Sequence, residues 1–345
     1  MLADTALAVM WIGLTCYALF GGADFGAGLW DLLAGGSGRG REPRRLIEHS
    51  IGPVWEANHV WLIFVVVLLW TGFSPVFAAV MSTLYIPLTL AALGIIARGA
   101  AFAFRKASSE VPQQRLFGGF FALSSVVTPY FLGSVAGAVA SGRVPPGLAK
   151  GNLVTSWLNP TSALGGVLAV LACAYLAAVY LSGDADRSGR PDLVAYFRAR
   201  ALATGVVTGV VAVVGIAVLQ TDAPQLFHGL THRALPLVIV SALLGLVSLA
   251  LLVRTELTFV RVTAATAVAA ILWSWGVAQY PAMLPPSVTV RGSASQASVL
   301  GSSLVALAVG AVLLVPSLLY LYSLFQQRQR QQPASARSGD GTAAD

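Results

Sequence analysis

Charge is scarce in this chain. Of its 345 residues 10% are charged, against 57% hydrophobic. Soluble domains carry about 25% charged residues, so the polar inventory is too small to coat a water-facing surface. Cysteine is scarcer still. Cys16 and Cys173 both lie within apolar runs, which excludes a disulfide framework and a cysteine-based metal spacing. No Lys or Arg precedes the first apolar run. That run also outlasts a signal segment and reads as a retained first span. No strict short repeat is visible, which gives no support to a solenoid or an array.

Long apolar stretches are what the chain does have. A bilayer core takes about 20 apolar residues per helix. Nine candidate spans follow, at 5–33, 51–72, 75–104, 117–140, 160–182, 199–221, 234–254, 258–281 and 299–324. The expected fold is an all-α polytopic membrane protein, arranged as two helix bundles plus one extra helix. Residues 1–325 form a single transmembrane domain, and residues 326–345 a polar, disordered tail. The tight connections at Gly72–Pro75 and Arg254–Thr258 are where an eight-span count would arise.

A net charge of +7 and a pI near 9.8 raise the question of nucleic acid. The placement of the cations answers it. The connections after spans 1, 3, 5 and 7, with the tail, hold Arg39, Arg41, Arg44, Arg45, Arg105, Lys106, Arg115, Arg187, Arg190, Arg198, Arg200, Arg254, Arg261, Arg328, Arg330 and Arg337. The other side holds Arg143, Lys150, Arg233 and Arg291. Sixteen against four is a topology signal. It places the N-terminus outside and the C-terminus in the cytoplasm, and it removes the nucleic-acid reading.

The remaining cation, Arg98, is inside span 3, and the acids Asp24 and Glu56 are inside spans 1 and 2. At a rise of about 1.5 Å per residue, Asp24 lies roughly 13 Å from the cytoplasmic end of its span, Glu56 roughly 8 Å and Arg98 roughly 10 Å. Three charges on consecutive helices thus share a level, and His59 lies one turn beyond Glu56. An unpaired charge in the bilayer costs about 3 kcal/mol or more. In the plain structural reading Arg98 neutralises Glu56 or Asp24 and ties the helices together. In the functional reading the acids and His59 form a proton path from the cytoplasm, with Arg98 as charge partner.

The other histidines are His49, His228 and His232. A haem with two axial histidines needs a facing pair, which His59 alone does not offer, so no axial cofactor ligand and no metal site is assigned to this chain. His228 and His232 have an i, i+4 spacing that suits a metal if their segment is helical, though no acidic pair accompanies them. Gly22 and Gly26 stand in GxxxG spacing, beside Gly21 and Gly28, which allows close helix approach. Trp55 and Trp61 lie deeper than interfacial anchors and adjoin the polar cluster. They pack either on protein or on an isoprenoid tail.

Three stretches carry a family resemblance: "GGADFGAGLWDLL" in span 1, "SIGPVWEANHVWLI" in span 2, and "YPAMLPPSVTVRGSASQASVL" before the last span. "WLNPTSALGGVL" fits as well. The chain resembles subunit II of the cytochrome bd quinol oxidases over nearly its whole length. It departs at Gly21, where the family commonly has an acid, at Glu56, usually aspartate, and at His59, often Gln or Glu. The resemblance implies a partner, subunit I, that holds haems b and d and the quinol-oxidising site. It implies a complex that reduces oxygen to water in the bacterial cytoplasmic (inner) membrane, with room for small accessory subunits. This chain would be the scaffold, holding in some members a structural quinone. Glu56 matches the acid of a cytoplasmic proton path, with Trp55 beside it. Trp61 matches an oxygen-route tryptophan, and Arg98 a membrane arginine. Asp24 matches the second acid of the span 1 motif. The competing readings are a proton-coupled secondary transporter, disfavoured because no inverted repeat is visible, and a purely structural assembly subunit.

Overall fold

The computed structural model describes residues 1–36, 38–51, 55–107 and 111–331. The side chains of residues 51–57 and 105–112, among others, fall outside the described set. The first span is one rod of 31 residues, Leu2–Leu32. It contains α1 (Leu2–Cys16), a π-helical turn (Tyr17–Gly21) and α2 (Gly22–Leu32). A π turn admits one extra residue and rotates everything after it, so it sets which face of α2 carries Asp24. The next helix, α3 (Arg41–Ile51), is amphipathic. Its Leu46 and Ile47 are buried and join a core with Trp30 and residues of a later helix, while Arg41 and Arg45 face outward.

The following helices are α4 (Trp55–Gly72), α5 (Ser74–Thr83), α6 (Tyr85–Ala107), α7 (Val111–Ala140) and α8 (Pro160–Arg187). Then come α9 (Pro191–Asp222), α10 (Pro224–Thr231), α11 (Leu235–Val253) and α12 (Leu257–Gln279). A two-strand antiparallel hairpin, β1 (Ala282–Leu284) and β2 (Val288–Thr289), leads into the short α13 (Val290–Ser293). The last helix, α14 (Ala297–Gln331), belongs to a second unit that starts at Gln296. It runs past the expected end of the last span, and residues 332–345 of the expected tail lie outside the described residues.

Among the described residues eight helices are long and apolar enough to cross a membrane. The count is nine if Asn58–Gly72 and Ser74–Thr83, bent by 118°, are one broken span. The expected span at 75–104 is therefore not a single rod. Its first nine residues belong to α5, and the crossing begins at Tyr85. Pro87 supplies the physical reason. It has no N–H to bond the Thr83 carbonyl, so the helical ladder loses a bond just ahead of Tyr85. The helix is interrupted at Leu84. The expected turn after α11 is present, at Arg254–Glu256, with Thr255 at φ 60°. Arg198 closes that helix end, its Nε donating to Leu252 O at 2.6 Å and its Nη2 to Val253 O at 2.8 Å, as cations do at helix C-termini.

Within residues 1–295, α2 packs on α7 and α8, and α6 packs along α7. α8 also meets α9 and α12, and α11 packs on α12. The close approach of α2 to α8 rests on Gly26. A Cβ there would run into the Cys173 carbonyl, which is the close helix approach read from the GxxxG spacing. Opposite the arginine-rich connections, Asp222 binds the ends of three helices. Arg143 Nη1 and Nη2 donate to its carboxylate at 2.9 and 2.5 Å, and Thr161 donates to it from N at 3.0 Å and Oγ1 at 2.6 Å.

Candidate functional site

Asp24 is in the first turn of α2 and buried, 7% exposed. Its carboxylate accepts a hydrogen bond from Asn58 Nδ2, and the same amide reaches Phe20 O at 3.4 Å. Asn58 is buried as well. Arg98, on α6, is 2% exposed. Its Nη2 donates to the main-chain oxygen of Asp24 at 2.7 Å, and its Nη1 donates to Ser125 Oγ on α7. Ser125 donates onward to Phe121 O at 2.6 Å. The guanidinium carbon lies 4.5 Å from the Phe121 ring centre and 5.0 Å from that of Phe25. Gly28 makes the passage possible, since a Cβ there would meet Ser125 Oγ and Arg98. A buried guanidinium is thus satisfied by two oxygens and two aromatic faces.

Among the described residues no ion pair joins Arg98 to a carboxylate. The expected neutralisation of Asp24 by Arg98 takes a different form: the two are adjacent, but the direct bond goes to main chain. An α-helical carbonyl has a second lone pair beyond its helix bond, and that is what the guanidinium uses. The carboxylate itself is left to the Asn58 amide.

His59 is half-buried. Its ring meets Tyr17 edge-on at 6.4 Å and Phe25 at 6.3 Å, and Tyr17 meets Phe25 at 6.5 Å. Phe25 thereby touches both the histidine and the arginine. The Tyr17 hydroxyl is buried and has no hydrogen-bond partner among the described residues. Asp31, two turns beyond Asp24 on α2, is buried and pairs with Arg44 Nε at 3.4 Å. At about 1.5 Å per residue the two acids are roughly 10 Å apart along one helix.

The structure therefore brings together Asp24, His59 and Arg98. Glu56 and Trp55 fall in the first turn of α4, and their side chains lie outside the described residues. Trp61 is half-buried and packs edge-on against Phe64 of its own helix at 6.4 Å. Tyr17, Phe25, Phe121 and Ser125 complete the site without having been singled out from sequence, and Asn58 completes it without having been assigned a role. Asn58 had a visible signal, an amide inside a polar triplet in an apolar run. Ser125 had a weaker one, as half of a serine pair in the apolar stretch of α7.

Among the described residues no group of three His, Cys, Asp or Glu side chains is placed to hold a metal ion. The residues do not suit a haem with two axial histidines either. His59 is flanked by Tyr17 and Phe25, His49 is exposed at the end of α3, and His228 and His232 are exposed at α10.

Comparison with known proteins agrees with this architecture. A family model described as cytochrome bd terminal oxidase subunit II matches residues 2–325. The cytochrome bd ubiquinol oxidase subunit 2 of Bacillus subtilis is 29% identical over 170 residues, 48% of each chain, so the match spans about half the length of that relative. The putative cytochrome bd menaquinol oxidase subunit II of the same organism is 20% identical over 337 residues, 94% of this chain and 96% of that one. The solved structure of the bd oxidase from Geobacillus thermodenitrificans shares the fold, with a TM-score of 0.79 at 24% identity over 94% of this chain and 98% of that one. A multi-pass helical membrane protein matched along nearly its whole length, this chain belongs to the cytochrome bd terminal oxidase subunit II family.

Proposed function

We propose that this chain is the second subunit of a membrane oxidase that takes electrons from quinol and reduces oxygen to water. Its own part is to hold the partner subunit and to conduct protons inward from the arginine-rich face. The observation that carries this reading is the buried polar cluster of Asp24, Asn58, Arg98 and Ser125, with His59 beside it, in a chain of this family. A chain so poor in charge does not bury such groups cheaply. Family membership displaces the transporter reading.

In this proposal the N-terminus is outside and the C-terminus cytoplasmic, from the sixteen-to-four division of cations. The site is the bacterial cytoplasmic membrane. Reduction of one oxygen molecule to two waters consumes four electrons and four protons. Protons drawn from the cytoplasm, with quinol releasing its own outside, separate charge without a pump. Haems b and d belong to subunit I and supply the electron transfer and oxygen chemistry there, and Trp55 and Trp61 are assigned to an oxygen route or a quinone contact.

Two features of the cluster support a place for Asp24 on a proton path. Arg98 supplies a fixed positive charge beside it but bonds its main chain, so the carboxylate changes protonation state without breaking a direct ion pair. The Asn58 amide offers a donor to the ionised form and, after rotation, an acceptor to the protonated one. Asp31 and Glu56 stand nearer the arginine-rich face and feed Asp24 and His59.

The test is Glu56→Gln in the assembled complex. Oxygen consumption with saturating quinol is expected to fall about a hundredfold or more, the span usual for losing a positioned proton-transfer group, with the complex still assembling. Glu56→Asp retains most activity. Normal turnover of the Gln variant would reduce the cluster to helix glue.

A further inference from the structure

We propose that Arg200 and the apolar side of α9 below it bind an anionic phospholipid of the leaflet at the arginine-rich end. Two helices fix the level of Arg200. Residues 201–221 carry no charged side chain. At about 1.5 Å per residue they span about 30 Å, the thickness of a bilayer's hydrocarbon core. Arg200 is the next residue outward. Arg198, within the same turn, donates to Leu252 O and Val253 O at the end of α11, so the apolar stretch of that helix stops at the same height. Arg200 therefore stands where phospholipid headgroups meet acyl chains.

Stacking and one hydrogen bond hold the guanidinium and leave most of its donors over. Its carbon lies 3.2 Å from the centre of the Tyr196 ring and 5.8 Å from that of Trp30. Nη1 donates to Tyr196 O at 3.0 Å. A guanidinium has five N–H donors, and this bond uses one. The edge formed by Nε and Nη2 remains, two parallel donors that match two oxygens of a phosphate. Among the described residues no acid pairs with Arg200. The ion pairs at this end instead join Asp31 to Arg44, Glu42 to Arg190, and Asp184 to Arg187 and Arg261.

Below the cation the same side of the helix is apolar. Ala203, Val207, Val210 and Val214 follow Arg200 at the spacing of one helical side, and all four are exposed. Val214 is about 21 Å from Arg200 along the axis, so the stripe runs the depth of one leaflet's acyl chains. A fixed cation above an apolar stripe complements a negative headgroup on its acyl chain. A zwitterionic headgroup offers the same phosphate but adds an ammonium. The exposed arginines nearby, Arg254 after α11 and Arg41 and Arg45 on α3, disfavour that second charge.

The test uses the full chain in its purified complex, delipidated by detergent exchange and titrated with lipid under native mass spectrometry. Dioleoylphosphatidylglycerol is expected to bind at least about fivefold more tightly than dioleoylphosphatidylcholine. Arg200→Gln abolishes that preference, and Arg200→Lys, which keeps the charge without the fork, retains part of it. Lys150→Gln, exposed at the opposite end, leaves it unchanged. Because Arg200 closes no ion pair, the variants keep the wild-type elution profile, and their unaltered binding of phosphatidylcholine reports an intact fold. A phosphatidylglycerol with a diazirine in its acyl chain labels α9 between Ala203 and Val214, and labels it less in Arg200→Gln. An undiminished preference in Arg200→Gln, displacement of the lipid by inorganic phosphate, or label confined to the partner subunit overturns the proposal.

Discussion

Arg98→Ala is the sharpest perturbation of the buried cluster. The substitution removes a donor to Asp24 O at 2.7 Å, a donor to Ser125 Oγ, and a cation lying over Phe121 at 4.5 Å and Phe25 at 5.0 Å. Hydrogen bonds from a charged group contribute about 1.5–3 kcal/mol each, and a desolvated cation–π contact about 2 kcal/mol. Against these stands the arginine's own desolvation cost of several kcal/mol. The net loss expected for breaking a buried charged arrangement is about 3–5 kcal/mol, or roughly two to four orders of magnitude in the folded-to-unfolded ratio. Reversible unfolding in mixed micelles, followed by tryptophan fluorescence during detergent titration, measures it. Arg98→Lys, which keeps the charge but loses the two-armed reach, is expected to fall between the alanine variant and the wild type. The double variant Arg98→Ala/Asp24→Asn separates charge from packing. Asp24→Asn leaves the main-chain acceptor in place, so a double variant more stable than Arg98→Ala alone assigns the loss to an uncompensated carboxylate. An Arg98→Ala chain within about 1 kcal/mol of wild type would sink the view that this arginine holds three helices together.

Two further outcomes follow from packing. Gly26→Leu drives a side chain into the Cys173 carbonyl of α8 and costs about 1–3 kcal/mol or more, seen as loss of a monodisperse chromatographic peak; an unchanged peak and midpoint would show that α2 and α8 do not meet there. Asp222→Ala removes the acceptor shared by Arg143 and Thr161 and costs about 1–3 kcal/mol, with faster amide exchange at the start of α8; unaltered exchange at Thr161 and Ser162 would refute it.

The gathering of Asp24, His59 and Arg98 was legible because helix rise is nearly constant. A residue count from a span's end converts directly into depth, and unlike charges at equal depth in an apolar medium have few alternatives to meeting. What was not legible is the kind of bond. Sequence displays side-chain charges and hides main-chain oxygens, so the Asp24 carbonyl was not foreseen as an acceptor for Arg98. The π turn at Tyr17–Gly21 has no compositional marker, and without it the face of α2 that meets Asn58 cannot be assigned. The break at Leu84 was readable in principle, since Pro87 removes one helix donor. It was lost because residues 75–97 are predominantly apolar, and hydropathy does not register a missing N–H.

The departures from the family pattern become intelligible at the same place. Position 21, where the resemblance leads one to expect an acid, is glycine at the end of the π turn. A Cβ there would lie 2.9 Å from the Tyr17 ring, and Tyr17 is buried. An acid at 21 and this placement of Tyr17 are therefore mutually exclusive. The space goes to an aromatic ring, and that ring, with Phe25, packs against His59, the second position where the chain departs from the pattern. The two departures are coupled through Tyr17: one ionisable group is absent from α2's approach, and an imidazole stands across from it on α4.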